Sequence, residues 1–234
     1  MKRLAIALLC TMGLSVSAQT TSELQKHYES FYQEMRLQGD VNGVINALTH
    51  LNVLEPTTAR KDTLAYVYAN NNQHLQALNT IGIEKNESDS DLAVQVKALS
   101  LKALNQPKRA LEQFEVLNTR TPSAYLAYEL ADLKIQTGDN AGAAINIEYG
   151  IANAKEEDKY AFYERQQPYE TPLKAAFIHL KALVQYNTDK TNLDGAITLL
   201  DEALAIDPNF NLASLSKQAL VSRKNPPAEA ETKN

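Results

Sequence analysis

Four histidines (His27, His50, His74 and His179), a single cysteine (Cys10) and the acidic pair Glu156-Glu157 are the side chains from which this chain could assemble a catalytic or metal centre. A zinc site draws on ligands at short spacings, such as two histidines one helical turn apart or paired cysteines. The histidines are scattered, at least 23 positions apart, and no HExxH pattern is present. Glu156 and Glu157 would need a pocket to move their pKa values toward acid-base work, and nothing nearby marks one. No glycine-rich phosphate loop, nucleophile elbow or calcium loop occurs. Asn86-Glu87-Ser88 fits a glycosylation acceptor, a match too short to inform. The expectation is a chain with no catalytic residues, no metal and no cofactor, and hence not an enzyme.

Tyrosine is the residue type that stands out, with eleven against five Phe and no Trp. Tyr125, Tyr128 and Asp132 fall at i, i+3 and i+7, on one side of a helix. Tyrosines there offer either a broad, rigid contact surface with a hydrogen-bonding tip, or packing between helices.

The elements that position these residues follow from composition. At 234 residues and 44% hydrophobic, the chain can bury a substantial core, and eight Gly and eight Pro favour helices over a many-turned β architecture. Residues 1–18, MKRLAIALLCTMGLSVSA, place Lys2 and Arg3 before an apolar run that ends in Val16-Ser17-Ala18, the form of a secretory signal cut before Gln19. The apolar run is shorter than the roughly 20 residues of a membrane span. Cys10 follows Leu9 rather than a small residue and is read as part of the signal, not as a lipid-attachment site. Cleavage would remove that cysteine and take the formal charge from -5 to -7 by loss of Lys2 and Arg3. A soluble bacterial protein of the periplasm or medium is expected, and its acidity argues against nucleic acid or an anionic membrane as partner.

The chain repeats. Val44, Ala77, Ala110 and Ala143 are 33 apart, and so are Leu48, Ile81, Phe114 and Ile147 four residues later. Tyr32, Ala65, Ala98 and Ala131 keep the same interval, preceded by Phe31, Leu64, Lys97 and Leu130. Pro56, Pro122 and Pro208 each lie 12 residues after Val44, Ala110 and Ala196. Small residues where two helices cross let backbones approach, and a proline ends the second helix.

Leu64-Ala65-x-x-Tyr68 with Ala77-x-x-x-Ile81, Ala110-x-x-x-Phe114 with Pro122, and Leu130-Ala131 with Gly138-Asp139 and Ala143-x-x-x-Ile147 resemble the tetratricopeptide repeat, a helix-turn-helix unit of about 34 residues. The period of 33 is also that of ankyrin repeats, but the Thr-Pro-Leu-His turn of that family is missing. The resemblance implies an all-α, right-handed superhelical solenoid of antiparallel helix pairs over residues 19–223: about five units plus a capping helix near 211–224. A disordered tail at 224–234 follows. Glu84 is read as standing on the second helix of its unit. Between Ala143 and Ala196 the spacing is 53, so residues 154–172 are an insertion, read either as an extended second helix with a packed aromatic connector or as part of the binding face.

In this family the first helix of each unit lines a concave groove. The resemblance therefore implies a peptide-binding surface at Gln33, Tyr66, Asn70, Tyr125, Tyr128 and Asp132, with Arg36, Gln95 and Leu99 nearby. The carboxylate clamp of chaperone-tail binders has no counterpart, since its positions carry Gln33, Tyr66, Leu99 and Asp132. The function implied is a non-enzymatic interaction module or scaffold in the cell envelope with an unknown protein or peptide partner. The alternatives are a self-assembling envelope component using Phe162 and Tyr163, a homo-oligomer, or an unrecognised hydrolase.

Overall fold

The computed structural model describes the backbone of residues 2–225 and the side chains of residues 20–225. The expected leader and most of the expected tail lie outside the residues whose side chains are described. Among the described residues the chain forms eleven helices and one two-stranded hairpin, arranged as two compact units that divide between Asn105 and Gln106. The first holds α1 (Lys2–Gln38), α2 (Val41–Leu54), α3 (Thr58–Asn70), α4 (His74–Ile81) and α5 (Asp91–Ala103). The second holds α6 (Pro107–Arg120), α7 (Ala124–Thr137), α8 (Asn140–Asn153), β1 (Lys159–Phe162), β2 (Tyr169–Pro172), α9 (Leu173–Thr188), α10 (Leu193–Ile206) and α11 (Asn211–Lys224). In each unit, helices successive in sequence pack as antiparallel pairs: α1 with α2, α3 with α4, α7 with α8, and α9 with α10.

The period of 33 sets the helix crossings. Val44, Ala77, Ala110 and Ala143 are each the fourth residue of their helix, as is Ala196 of α10, and all five are buried. Ala65, Ala98 and Ala131 are fully buried on the first helices, where a larger side chain would hold two backbones apart. Tyr32, the large member of that column, lies half-buried against Val44, Leu48 and Leu64.

The same period governs the punctuation, a signal not drawn from the sequence. Thr57, Ser90 and Ser123 cap α3, α5 and α7, each hydroxyl accepting from the backbone N–H three residues on, at 3.1–3.2 Å. Asp40, Asp139 and Asn192 cap α2, α8 and α10 in the same way, at 2.8–3.0 Å. Gly39, Asn72, Asn105 and Gly138 carry φ of 69°, 57°, 56° and 88°. All four sit in the turn inside a repeat, where glycine and asparagine are the residues that tolerate a left-handed backbone.

Two expectations are corrected. α4 has only 8 residues and stops at Gly82, so Glu84 lies beyond the helix, not on it. Asn86 then turns the chain by accepting from Ser88 N–H and Oγ–H. The insertion is not an extended helix either: α8 ends at Asn153, and β1 and β2 pair antiparallel with Tyr160 opposite Thr171 and Phe162 opposite Tyr169. Strand alternation turns Tyr160 and Phe162 of β1 inward. Helix α9 starts at Leu173, directly after β2.

His179 of α9 is buried in the second unit, edge-on to Phe210 at 5.3 Å, with Nε2 3.0 Å from Ser216 Oγ. Burial pushes its imidazole down to about 4. The unfolded chain titrates this group near 6.5, so between pH 6.5 and 4 it binds the proton that the folded state refuses. Stability therefore falls as pH drops through that window, by about 3 kcal/mol in all. Denaturant unfolding of the wild type and His179→Gln across pH 4–7 checks this; the variant should lose that component of the slope, and parallel curves would rule it out.

Candidate binding site

The first unit carries an open, mainly apolar cavity of about 290 Å³. The end of α1 supplies Met35 and Arg36, α2 supplies Val41 and Val44, and α3 supplies Tyr66 and Asn70. Tyr66 and Asn70 are one helical turn apart, so they share a side of α3. Gly43 seats Met35: a Cβ there would meet the Met35 sulfur at 2.4 Å, so its hydrogen lets the thioether lie on α2. The Arg36 guanidinium sits 5.5 Å over the Tyr32 ring, a contact that holds the one charged side chain on the cavity wall.

Three residues of the expected groove face, Arg36, Tyr66 and Asn70, are thus brought together. Tyr66 is 44% exposed and Asn70 is exposed. Gln33 is exposed but is not part of this wall. On α5, Gln95 and Leu99 are exposed as expected.

The second unit treats its share of the face differently. Tyr128 is 4% exposed and belongs to the core, a correction to its reading as a ligand contact. Tyr160 of the hairpin packs on its ring at 4.1 Å, and Phe162 and Phe177 meet it edge-on at 6.3 and 5.6 Å. Tyr125 remains 48% exposed but stacks on Tyr160 at 5.6 Å. Asp132 is half-buried and accepts from Gln136 Nε2 at 2.9 Å. The chain's own hairpin therefore occupies this side of α7.

The hairpin is held from several elements. Tyr160 donates to the buried Glu129 carboxylate of α7 at 2.7 Å, Thr171 donates to Asp207 at 2.8 Å, and Asn211 donates to Glu164 at 3.2 Å. Burial, and after it the Glu129 carboxylate, raises the Tyr160 and Tyr125 phenols above their usual value, so both stay protonated donors. Phe162, offered by the self-assembly reading as a contact, is buried, whereas Tyr163 is 74% exposed.

His50 stacks on Tyr28 at 4.3 Å, His27 meets Tyr28 edge-on, His74 lies 3.4 Å from Ser100 Oγ, and His179 is in the other unit. Among the described residues no group of three or more His, Cys, Asp or Glu could hold a metal ion, and no helix is long and apolar enough to cross a membrane.

No protein-family model matches the chain, and no curated protein matches it by sequence. Solved structures do. The MamA protein is similar over 88% of this chain and 98% of its own, at 16% identity and TM-score 0.56. The APC/C hetero-tetramer Cut9-Hcn1 is similar over 88% of this chain and 40% of the matched chain, at 16% identity and TM-score 0.50. A tetratricopeptide repeat protein from Parabacteroides merdae aligns over 89% and 81% at 15% identity, with a TM-score of 0.45 that carries no weight. At these identities the likeness concerns the fold, and it is the fold that the repeat pattern implies.

Proposed function

We propose that this chain, whose fold is that of tetratricopeptide-repeat proteins, is a non-enzymatic interaction module that seats a segment of a partner protein on the first unit. One observation carries this reading: Arg36 and Tyr66, which the family resemblance puts on the groove face, and the neighbouring Asn70 line one mainly apolar cavity. Its volume of about 290 Å³ sits at the small end of ligand pockets, a size for one large apolar side chain rather than a cofactor. The Arg36 guanidinium and the Asn70 amide stand where they can bond the carbonyls flanking that side chain. Tyr and Arg around an apolar pocket are also the composition of interaction hot spots. The leader-like residues 1–18 support export, so the partner is sought in the periplasm or outside the cell.

Peptides selected from a random library on the purified protein test the reading. A non-acidic peptide with one apolar anchor should bind, and Tyr66→Ala should weaken it by roughly 30-fold or more, the scale of a hot-spot residue. Tyr163→Ala, an exposed ring in the second unit, should leave the affinity unchanged. Undiminished binding to Tyr66→Ala would move the site elsewhere.

A further inference from the structure

A second cavity, of about 470 Å³, lies wholly within the second unit, between the start of α7, the end of α8 and the beginning of the hairpin. Its wall includes Tyr125, Tyr149, Asn153, Lys155, Asp158 and Lys159. We propose that this cavity is a separate binding site for an acidic peptide segment, with aromatic or apolar side chains lying against Tyr125 and Tyr149 and carboxylates meeting Lys155 and Lys159.

The volume falls inside the range of ligand pockets and exceeds that of the first-unit cavity. Both rings are accessible, Tyr149 at 40% exposure, and they come from different helices. Tyr125 is already held by its stack on Tyr160, so less freedom remains to be lost when a ligand covers it.

Charge selects the ligand. The one acid on the wall, Asp158, is committed to its own turn: Oδ2 accepts from Lys155 N–H at 2.9 Å, and its carbonyl accepts from Leu173 N–H at 2.8 Å. Lys159 pairs with Glu170 across the hairpin at 3.9 Å, with both side chains more than half exposed, a contact readily exchanged for a ligand carboxylate. Asn153 donates to the Tyr149 carbonyl, which leaves its amide oxygen for a peptide N–H. Glu156 and Glu157 belong to the same turn but not to the wall, and they bring the run from Lys155 to Lys159 to a net charge of -1. A bulk polyanion gains nothing from that field, so the proposed carboxylate contacts are confined to Lys155 and Lys159 on the wall.

The test uses a fluorescent pentapeptide with a central tyrosine and glutamates on both sides, against the full chain. Saturable binding is expected, weakened at least about fivefold in Lys155→Gln/Lys159→Gln and in Tyr149→Ala, and unchanged in Tyr66→Ala. The four substituted residues are exposed, so circular dichroism should show an intact fold. The same peptide with glutamines should not bind, and an excess of inorganic phosphate should compete only in part. No saturable binding, equal affinity in the lysine variant, or loss in Tyr66→Ala would overturn the proposal. Complete displacement by phosphate would reduce the site to an anion contact and overturn its assignment to a peptide.

Discussion

Gly150→Ala lowers the stability of the second unit by about 2–3 kcal/mol, although alanine is the better helix former by roughly 1 kcal/mol. Gly150 is buried on α8, and an added Cβ would stand 1.9 Å from Cζ of Phe177 and within 2.4 Å of both Cε atoms. The ring cannot step aside, because Phe177 is fully buried on α9 and Tyr128 meets it edge-on at 5.6 Å. Either the helices separate or the ring leaves its rotamer, and both outweigh the gain in helix propensity. Chemical denaturation measures the loss. Adding Phe177→Leu should return a large part of it by removing the atoms in conflict. A neutral or stabilising Gly150→Ala would mean that Phe177 does not lie over the glycine.

Lys97→Leu is the second large effect, and its sign runs against the repeat. Leu64 and Leu130 occupy the same position one period either way, so leucine looks like an improvement. Yet the side chain of Lys97 is 3% exposed, and its ammonium donates to Asp89 at 2.5 Å and to the Glu84 carbonyl at 2.8 Å. These bonds tie the segment between α4 and α5 to the first unit, where the short α4 leaves it with no helix to join. Removing the ammonium from a mostly buried carboxylate and carbonyl should cost about 2–3 kcal/mol. A double-mutant cycle with Asp89→Asn checks the origin, and the two losses should be strongly non-additive. If Lys97→Leu raised the unfolding midpoint, the loop would not depend on this residue.

How much was legible can be judged from particular residues. The columns Tyr32 to Ala131 and Val44 to Ala143 located the helices of the first four repeats, because a residue at a helix crossing answers a local requirement that recurs with the period. The family resemblance put Tyr66 on the groove face with Asn70 beside it, and one turn of helix places the two together. It failed at Tyr128, for the spacing of Tyr125, Tyr128 and Asp132 fixes a common side of α7 and is silent about what lies against it. The covering residue, Tyr160, comes 32 positions after Tyr128.

Glu84 and the insertion failed for related reasons. The repeat register extrapolated a full second helix, but α4 ends early at a glycine with φ of 83°, and a buried lysine replaces the missing turn. Four-residue strands such as Lys159–Phe162 and Tyr169–Pro172 carry too little alternation to distinguish them from an aromatic loop. They become strands because each supplies the other's backbone partners while their rings pack on Tyr128 and Phe210.

By itself the sequence determined the helix pairs and their period, since both follow from which residue stands 4, 12 or 33 positions from another, while the groove side of each first helix is what the family resemblance implies. Only the tertiary structure decided which of those sides stay open. In the first unit Gly43 and Met35 leave a cavity beneath Tyr66. In the second the hairpin fills the corresponding side of α7, and its first residues help to wall a different cavity of mixed polar and apolar lining. Coverage by a distant segment depends on contacts between residues far apart in the chain, and periodicity holds no record of them.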